Sequence, residues 1–168
     1  RVRLAYRWMQ GAQTVPPAIR VFVPIWMDPL MTANDDTFLS DVLARAGGVN
    51  VFADRTRRYP LAADLGRGPE FAPEKTDGRD TRYPRITLQE VSGRAPEVVL
   101  LPDEPYAFGE VEAEVFRNSA IPALAPENVR LCSGKALMWP GLMSIERHDE
   151  VRALLDDARR VASAHRPS

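Results

Sequence analysis

The chain has 168 residues, 45% of them hydrophobic, enough for one well-packed core and too few for two ordinary ones. Its 22 basic and 23 acidic side chains are spread along the chain and leave a formal net charge of -1, which excludes a field built to attract nucleic acid or an anionic membrane. The single cysteine, Cys132, excludes an intrachain disulfide and a cysteine-rich metal site, and no apolar run approaches the roughly 18 residues that span a bilayer.

The opening residues place Val2, Ala5, Tyr6 and Met9 on one side and Arg3, Arg7 and Gln10 on the other, which predicts an amphipathic helix up to Gly11, ended by Pro16 and Pro17. With no initiating methionine and no signal peptide, the expectation is a fragment or processed product that begins at the end of a longer helix. Ile19, Val21, Phe22, Val23, Ile25 and Trp26 follow as a nearly continuous apolar run, the pattern of a strand buried on both faces of a parallel sheet. Asp28-Pro29 turns the chain, because proline cannot donate to a ladder and holds its predecessor out of the helical region. Asn34, Asp35 and Asp36 offer cap oxygens to a helix whose apolar face is Phe38, Leu39, Val42, Leu43 and Ala46, and Gly47 and Gly48 end it.

Asp54 to Asp80 is rich in proline, glycine and charge, without periodicity, and predicts a long loop. It is bracketed by Arg58-Tyr59-Pro60 and Arg82-Tyr83-Pro84, with nothing else repeated, so it reads as an insertion over 55–81 and not a duplicated domain. Thr87 and Glu90 have capping-box spacing and start a short helix that Pro96 ends. Val98 to Leu101 forms a second buried strand that stops at Pro102-Asp103-Glu104-Pro105-Tyr106. A helix over Glu110 to Asn118, a third strand over Val129 to Cys132, and a long final helix capped by Ser144 complete the chain, the last burying Val151, Leu154, Leu155, Ala158, Val161 and Ala162. This alternation predicts an α/β fold of three α/β/α layers with a mainly parallel sheet.

Three strand exits carry aromatics: Trp26, the pair Tyr106 and Phe108, and Trp139. In an open α/β sheet ligands lie beyond the carboxyl ends of the strands, so these side chains are expected to converge on one edge as the wall of a ligand site. Met31 and Thr32 share the Trp26 loop, and Tyr83 joins the candidates; core packing is the competing reading for each. Arg58 and Arg82 are candidate partners for ligand carboxylates, against the commoner role of a solvated loop arginine. Asp103 and Glu104 are adjacent at a turn and point apart, which argues against acid-base work. His148 and His165 lack a second ligand at metal-binding spacing, and Cys132 has no histidine nearby in sequence. A Gly-rich phosphate loop, clustered cysteines and a nucleophile with its base are all missing, which disfavours an enzyme.

The ordered segments Val-Phe-Val-Pro-Ile-Trp-Met-Asp-Pro-Leu-Met-Thr, Asp-Thr-Phe-Leu-Ser-Asp-Val-Leu, Ala-Gly-Gly-Val-Asn-Val-Phe-Ala-Asp, Arg-Tyr-Pro with Thr-Leu-Gln-Glu-Val, and Ala-Pro-Glu-Val-Val-Leu-Leu-Pro resemble the substrate-binding proteins of ABC importers for cobalamin, ferric siderophores and haem. In that family two α/β lobes are joined by one long helix and the ligand lies between them. The resemblance covers Ala18 to Ala162 and implies a C-terminal lobe over 18–168, preceded over 1–17 by the end of the connecting helix and a linker, with the N-terminal lobe absent. Arg82-Tyr83-Pro84 is the better match to the family's motif, leaving the earlier copy to the insertion. It further implies a metal-chelate ligand that itself carries iron or cobalt, with no cofactor of the protein's own and no catalysis. Delivery would be to ABC transporter permease subunits, for which Glu110, Glu112, Glu114 and Glu146 are candidate docking groups against the alternative of an ordinary solvated surface. The full-length protein would be periplasmic, or an extracytoplasmic membrane-anchored lipoprotein. The competing expectations are an enzyme or metal-cluster protein on the same scaffold, and a non-transport intracellular relative.

Overall fold

The computed structural model describes residues 18–140 and 146–165. The expected N-terminal helix and the Ser144 cap lie outside them. The described chain runs β1 (Ile19–Phe22), β2 (Trp26–Met27), β3 (Leu30–Met31), α1 (Phe38–Arg45), β4 (Gly48–Asn50), α2 (Leu61–Asp64), α3 (Leu88–Arg94), β5 (Val98–Pro102), α4 (Glu110–Arg117), β6 (Val129–Cys132), α5 (Gly134–Met138) and α6 (His148–His165).

The sheet has four parallel strands in the order β4-β1-β5-β6, so the chain leaves β1 for one edge and later returns to the other. Alternation along the two central strands divides the core between its faces. Ile19, Val21, Val98 and Leu100 pack with Leu39, Val42 and Leu43 of α1, Leu137 of α5 and Leu155 of α6. On the other face Phe22, Val99 and Leu101 pack with Phe52, Val91 of α3 and Phe116 of α4. Phe22 lies 5.4 Å from Phe52 and 5.9 Å from Phe116 between ring centres, and all three are fully buried. Helices on both faces make the expected three layers. Asn128 is wholly buried and satisfied, its amide donating to Glu97 O and Ala158 O at 2.9 Å each, which ties the entry of β5 to α6.

Three local expectations are corrected. The first strand stops at Phe22 instead of running to Trp26, because Pro24 has no N–H for the ladder; Trp26 begins an antiparallel hairpin in which it pairs with Met31 across Asp28-Pro29. The cap of α1 is Thr37, not the Asn34-Asp35-Asp36 run, and it makes no side-chain cap bond; Asn34 Oδ1 instead accepts from the backbone N–H of Asp36 at 3.1 Å. Gly47 ends the helix with a φ of 87°, but Gly48 opens an edge strand. A Cβ on Gly48 would lie 2.8 Å from Val21 Cγ2 and 3.0 Å from Leu155 Cδ1.

The insertion is also more ordered than its composition suggests. It holds α2 and a 3₁₀ turn at Pro73–Lys75, and it is anchored through Arg55, which is 6% exposed. Arg55 donates to Glu90 Oε1 at 2.9 Å, Asp64 Oδ1 at 3.1 Å and Asp64 O at 2.6 Å. The buried Asp64 carboxylate also accepts the backbone N–H groups of Arg58 and Arg85. The two ends of the loop meet where Arg57 N–H donates to Thr81 O at 2.8 Å.

Candidate functional site

The strand order places a topological switch between β1 and β5, whose exits lead to opposite edges of the sheet. Loops that diverge in this way leave a crevice at the carboxyl ends of the strands. A cleft of about 290 Å³ lies there. Ile25 from the β1 exit, Pro105 from the β5 exit and Met138 from the end of α5 face it, joined by Ala33, Thr37, Phe38 and Leu39 around the start of α1 and by Tyr83.

Backbone pairing explains why these groups meet. Residues 82–86 run beside the hairpin, with Thr32 N–H donating to Pro84 O at 3.2 Å, Asn34 N–H to Arg82 O at 2.9 Å and Ile86 N–H to Leu30 O at 2.9 Å. That pairing holds Tyr83 beside Ala33. Asn50, at the end of β4, fixes the loop behind the cleft: its amide donates to Ala33 O at 2.8 Å and Ser40 Oγ at 2.7 Å, and its Oδ1 accepts from Phe52 N–H at 2.9 Å. Thr37 and Ser40 hydroxyls both donate to Asn34 O.

The predicted aromatics divide. Trp26 and Tyr106 are brought together edge to face with ring centres 5.4 Å apart, and Tyr106 is 4.7 Å from Phe108. Trp26 stays 44% exposed, with its indole N–H donating to Asp28 O at 3.1 Å. Trp139, 51% exposed, carries the Lys135 ammonium 5.9 Å from its ring centre and has no ring contact among the described residues. Met31 is half-buried beside Trp26. Thr32 and Phe108 serve the scaffold: Thr32 is 1% exposed with its hydroxyl donated to Val23 O at 2.8 Å, and Phe108 is buried in the second core face.

The polar candidates are largely committed within the chain. Arg82 forms a fork on Asp80, which holds that carboxyl well below its usual range, at about 2, and raises the guanidinium. Arg58 pairs with Glu70 at 3.4 Å. Glu112 accepts from Gly109 N–H at 2.8 Å as the cap of α4, and that bond lowers its pKa; it also accepts from Tyr106 OH at 3.2 Å. Burial, then the Glu112 bond, raises Tyr106. Glu110 and Glu114 both accept from Arg117, while Glu146 is exposed two residues before the last helix. Asp103 accepts from Gly134 N–H at 2.7 Å, and burial pushes the Cys132 thiol up to about 12, so the thiol is not poised as a nucleophile. Among the described residues no group of three or more His, Cys, Asp or Glu side chains could hold a metal ion, and no helix is long and apolar enough to cross a membrane.

Of the predicted site residues Tyr83 faces the cleft, while at the three aromatic exits the residue facing it lies one position earlier. At each exit the lining residue is the one before the aromatic: Ile25 before Trp26, Pro105 before Tyr106, Met138 before Trp139. Neighbouring side chains in extended segments point to opposite sides, and that alternation was the available signal at the first two exits. The site is a shallow apolar wall with an exposed aromatic ridge beside it, able to bury the flat face of a bulky organic ligand.

No family model and no curated protein sequence matches the chain. Similar solved structures are the periplasmic vitamin B12-binding protein of Vibrio cholerae, at 21% identity and a TM-score of 0.59, covering 95% of this chain and 51% of that one; the periplasmic haem-binding protein from Roseiflexus sp. RS-1, at 15% and 0.59, covering 94% and 56%; and an Fe3+-hydroxamate transport system protein from Saccharomonospora viridis, at 16% and 0.59, covering 91% and 47%. The chain therefore has the α/β fold of a part of such binding proteins, and spans about half the length of those it matches.

Proposed function

We propose that this chain is the C-terminal lobe of an ABC importer's substrate-binding protein for a metal chelate of the cobalamin, haem or ferric siderophore kind, acting by binding and without catalysis. The observation that carries the reading is the apolar cleft at the β1/β5 switch, bordered by the Trp26–Tyr106 pair, in a fold whose solved counterparts bind vitamin B12 and haem or serve Fe3+-hydroxamate transport.

In this reading Ile25, Phe38, Tyr83 and Met138 receive the ligand's apolar face and Trp26, Tyr106 and Trp139 border it. The opposite wall comes from an N-terminal lobe, and delivery is to permease subunits at the outer face of a cytoplasmic membrane. Glu110, Glu112, Glu114 and Glu146 are the docking candidates, Glu110 and Glu114 also holding Arg117 and Glu112 also capping α4. The test is titration of the protein carrying both lobes with cyanocobalamin, haemin and a ferric hydroxamate while following tryptophan fluorescence. One of the three is expected to bind, more weakly by tenfold or more in Trp26→Ala. Failure of all three to bind would sink the ligand assignment.

A further inference from the structure

The insertion brings two arginines without an ion pair among the described residues onto one ring. Arg57 and Arg79 set their guanidinium carbons 4.7 and 5.0 Å from the centre of a single ring, that of Tyr59. The ring itself is fixed, because its hydroxyl donates to Asp80 O at 2.7 Å. Three acids of this region are already paired, Asp80 with Arg82, Asp64 with Arg55 and Glu70 with Arg58. Arg57 and Arg79 form no ion pair among the described residues, and Arg57 Nε is a buried donor without an acceptor there.

Like charges gathered within a screening length of about 8–10 Å repel, and a buried donor without an acceptor is unfavourable. An oxyanion relieves both at once. Stacking on the Tyr59 ring occupies guanidinium faces and leaves their N–H edges to make the forked bonds that carboxylates and phosphates accept. We propose that Arg57 and Arg79, arranged around Tyr59, form a binding site for a small multivalent oxyanion, a polycarboxylate or a phosphate. The site belongs to the insertion and is distinct from the apolar cleft, so it does not rest on the ligand assigned to that cleft. The Arg57–Thr81 backbone bond, two residues before Tyr83, lies between it and the cleft.

Isothermal titration calorimetry of the intact protein at low salt, with pyrophosphate, citrate and monovalent acetate, tests this. Pyrophosphate or citrate is expected to bind, acetate not to, and the tighter of the two identifies which oxyanion the site takes. Affinity should fall tenfold or more in Arg57→Gln and in Arg79→Gln and stay unchanged in Arg67→Gln, an exposed arginine of the same loop. Arg79 is exposed, so its replacement leaves the packing intact and decides the matter even if Arg57→Gln unfolds. Absence of heat with both multivalent anions, undiminished affinity in Arg79→Gln, or an equal loss in Arg67→Gln overturns the proposal.

Discussion

Asn50 shapes the cleft without touching a ligand. Its three hydrogen bonds are all buried, so Asn50→Ala strands the Ala33 carbonyl and the Phe52 N–H in the interior. A loss of about 2–3 kcal/mol is expected in urea unfolding, and Asn50→Asp should cost at least as much, because it sets a buried carboxylate oxygen against the Ala33 carbonyl. Nothing in the run Gly-Gly-Val-Asn-Val-Phe announces this role, because it depends on a loop seventeen residues upstream. The aromatic exits were easier to find, since a tryptophan beside turn residues stands out, yet it is the residue before each one that lines the cleft. Cys132 makes a pH-dependent prediction. Its folded pKa, about 12, lies above the ordinary 9.0, so the stability it contributes is complete below pH 9 and is lost as pH rises toward 12. At pH 8 the native thiol should react with iodoacetamide about a thousandfold more slowly than the unfolded one, as read by mass spectrometry.

At the scale of elements, the junction between the β5 exit and α5 is the tightest. Gly134 sits where a Cβ would fall 2.5 Å from both Cγ and the carbonyl oxygen of Glu104. Gly134→Ala must therefore displace the 103–105 turn and, with it, Pro105 in the cleft. A destabilisation of about 1–3 kcal/mol is expected by thermal unfolding, together with weaker ligand binding. Thr87→Ala is the contrasting case: it removes the bond that Glu90 N–H donates to Thr87 Oγ1, costs about 1 kcal/mol, and leaves the cleft alone. The Thr87 cap was readable because its signal is local, although Glu90 gives its carboxylate to Arg55 instead of closing the capping box. The edge strand at Gly48 was not, since only pairing with β1 distinguishes it from the turn that two glycines suggest. The insertion likewise gave no periodicity, because its order comes from the buried Arg55 network and not from a helical or strand pattern. Arg55→Ala should lower stability by about 3–5 kcal/mol by leaving Asp64 uncompensated, and should open residues 58–80 to protease.

For the molecule as a whole, the parallel sheet with helices on both faces was legible from the alternation of apolar runs with periodic segments. The strand order was not, because sequence does not say on which side of β1 the chain will lay its next strand. That order is what creates the crevice. On the proposed function the cleft is one wall of two, so the 168-residue chain alone should bind the chelate at least tenfold more weakly than the protein with both lobes, measured in the same fluorescence titration.

The hydrogen bond between Arg57 and Thr81 closes the insertion upon itself, so whatever happens at the far end of the loop need not be felt by the sheet. Around Gly68 and Pro69 the chain is exposed, and a Cβ on Gly68 would meet nothing nearer than Ala62 at 3.5 Å. For a closed loop, added length is nearly free, with each doubling costing about 0.6 kcal/mol. The Gly68–Pro69 junction is thus a natural socket for a reporter peptide or an epitope, carried by the folded protein at almost no expense to its stability.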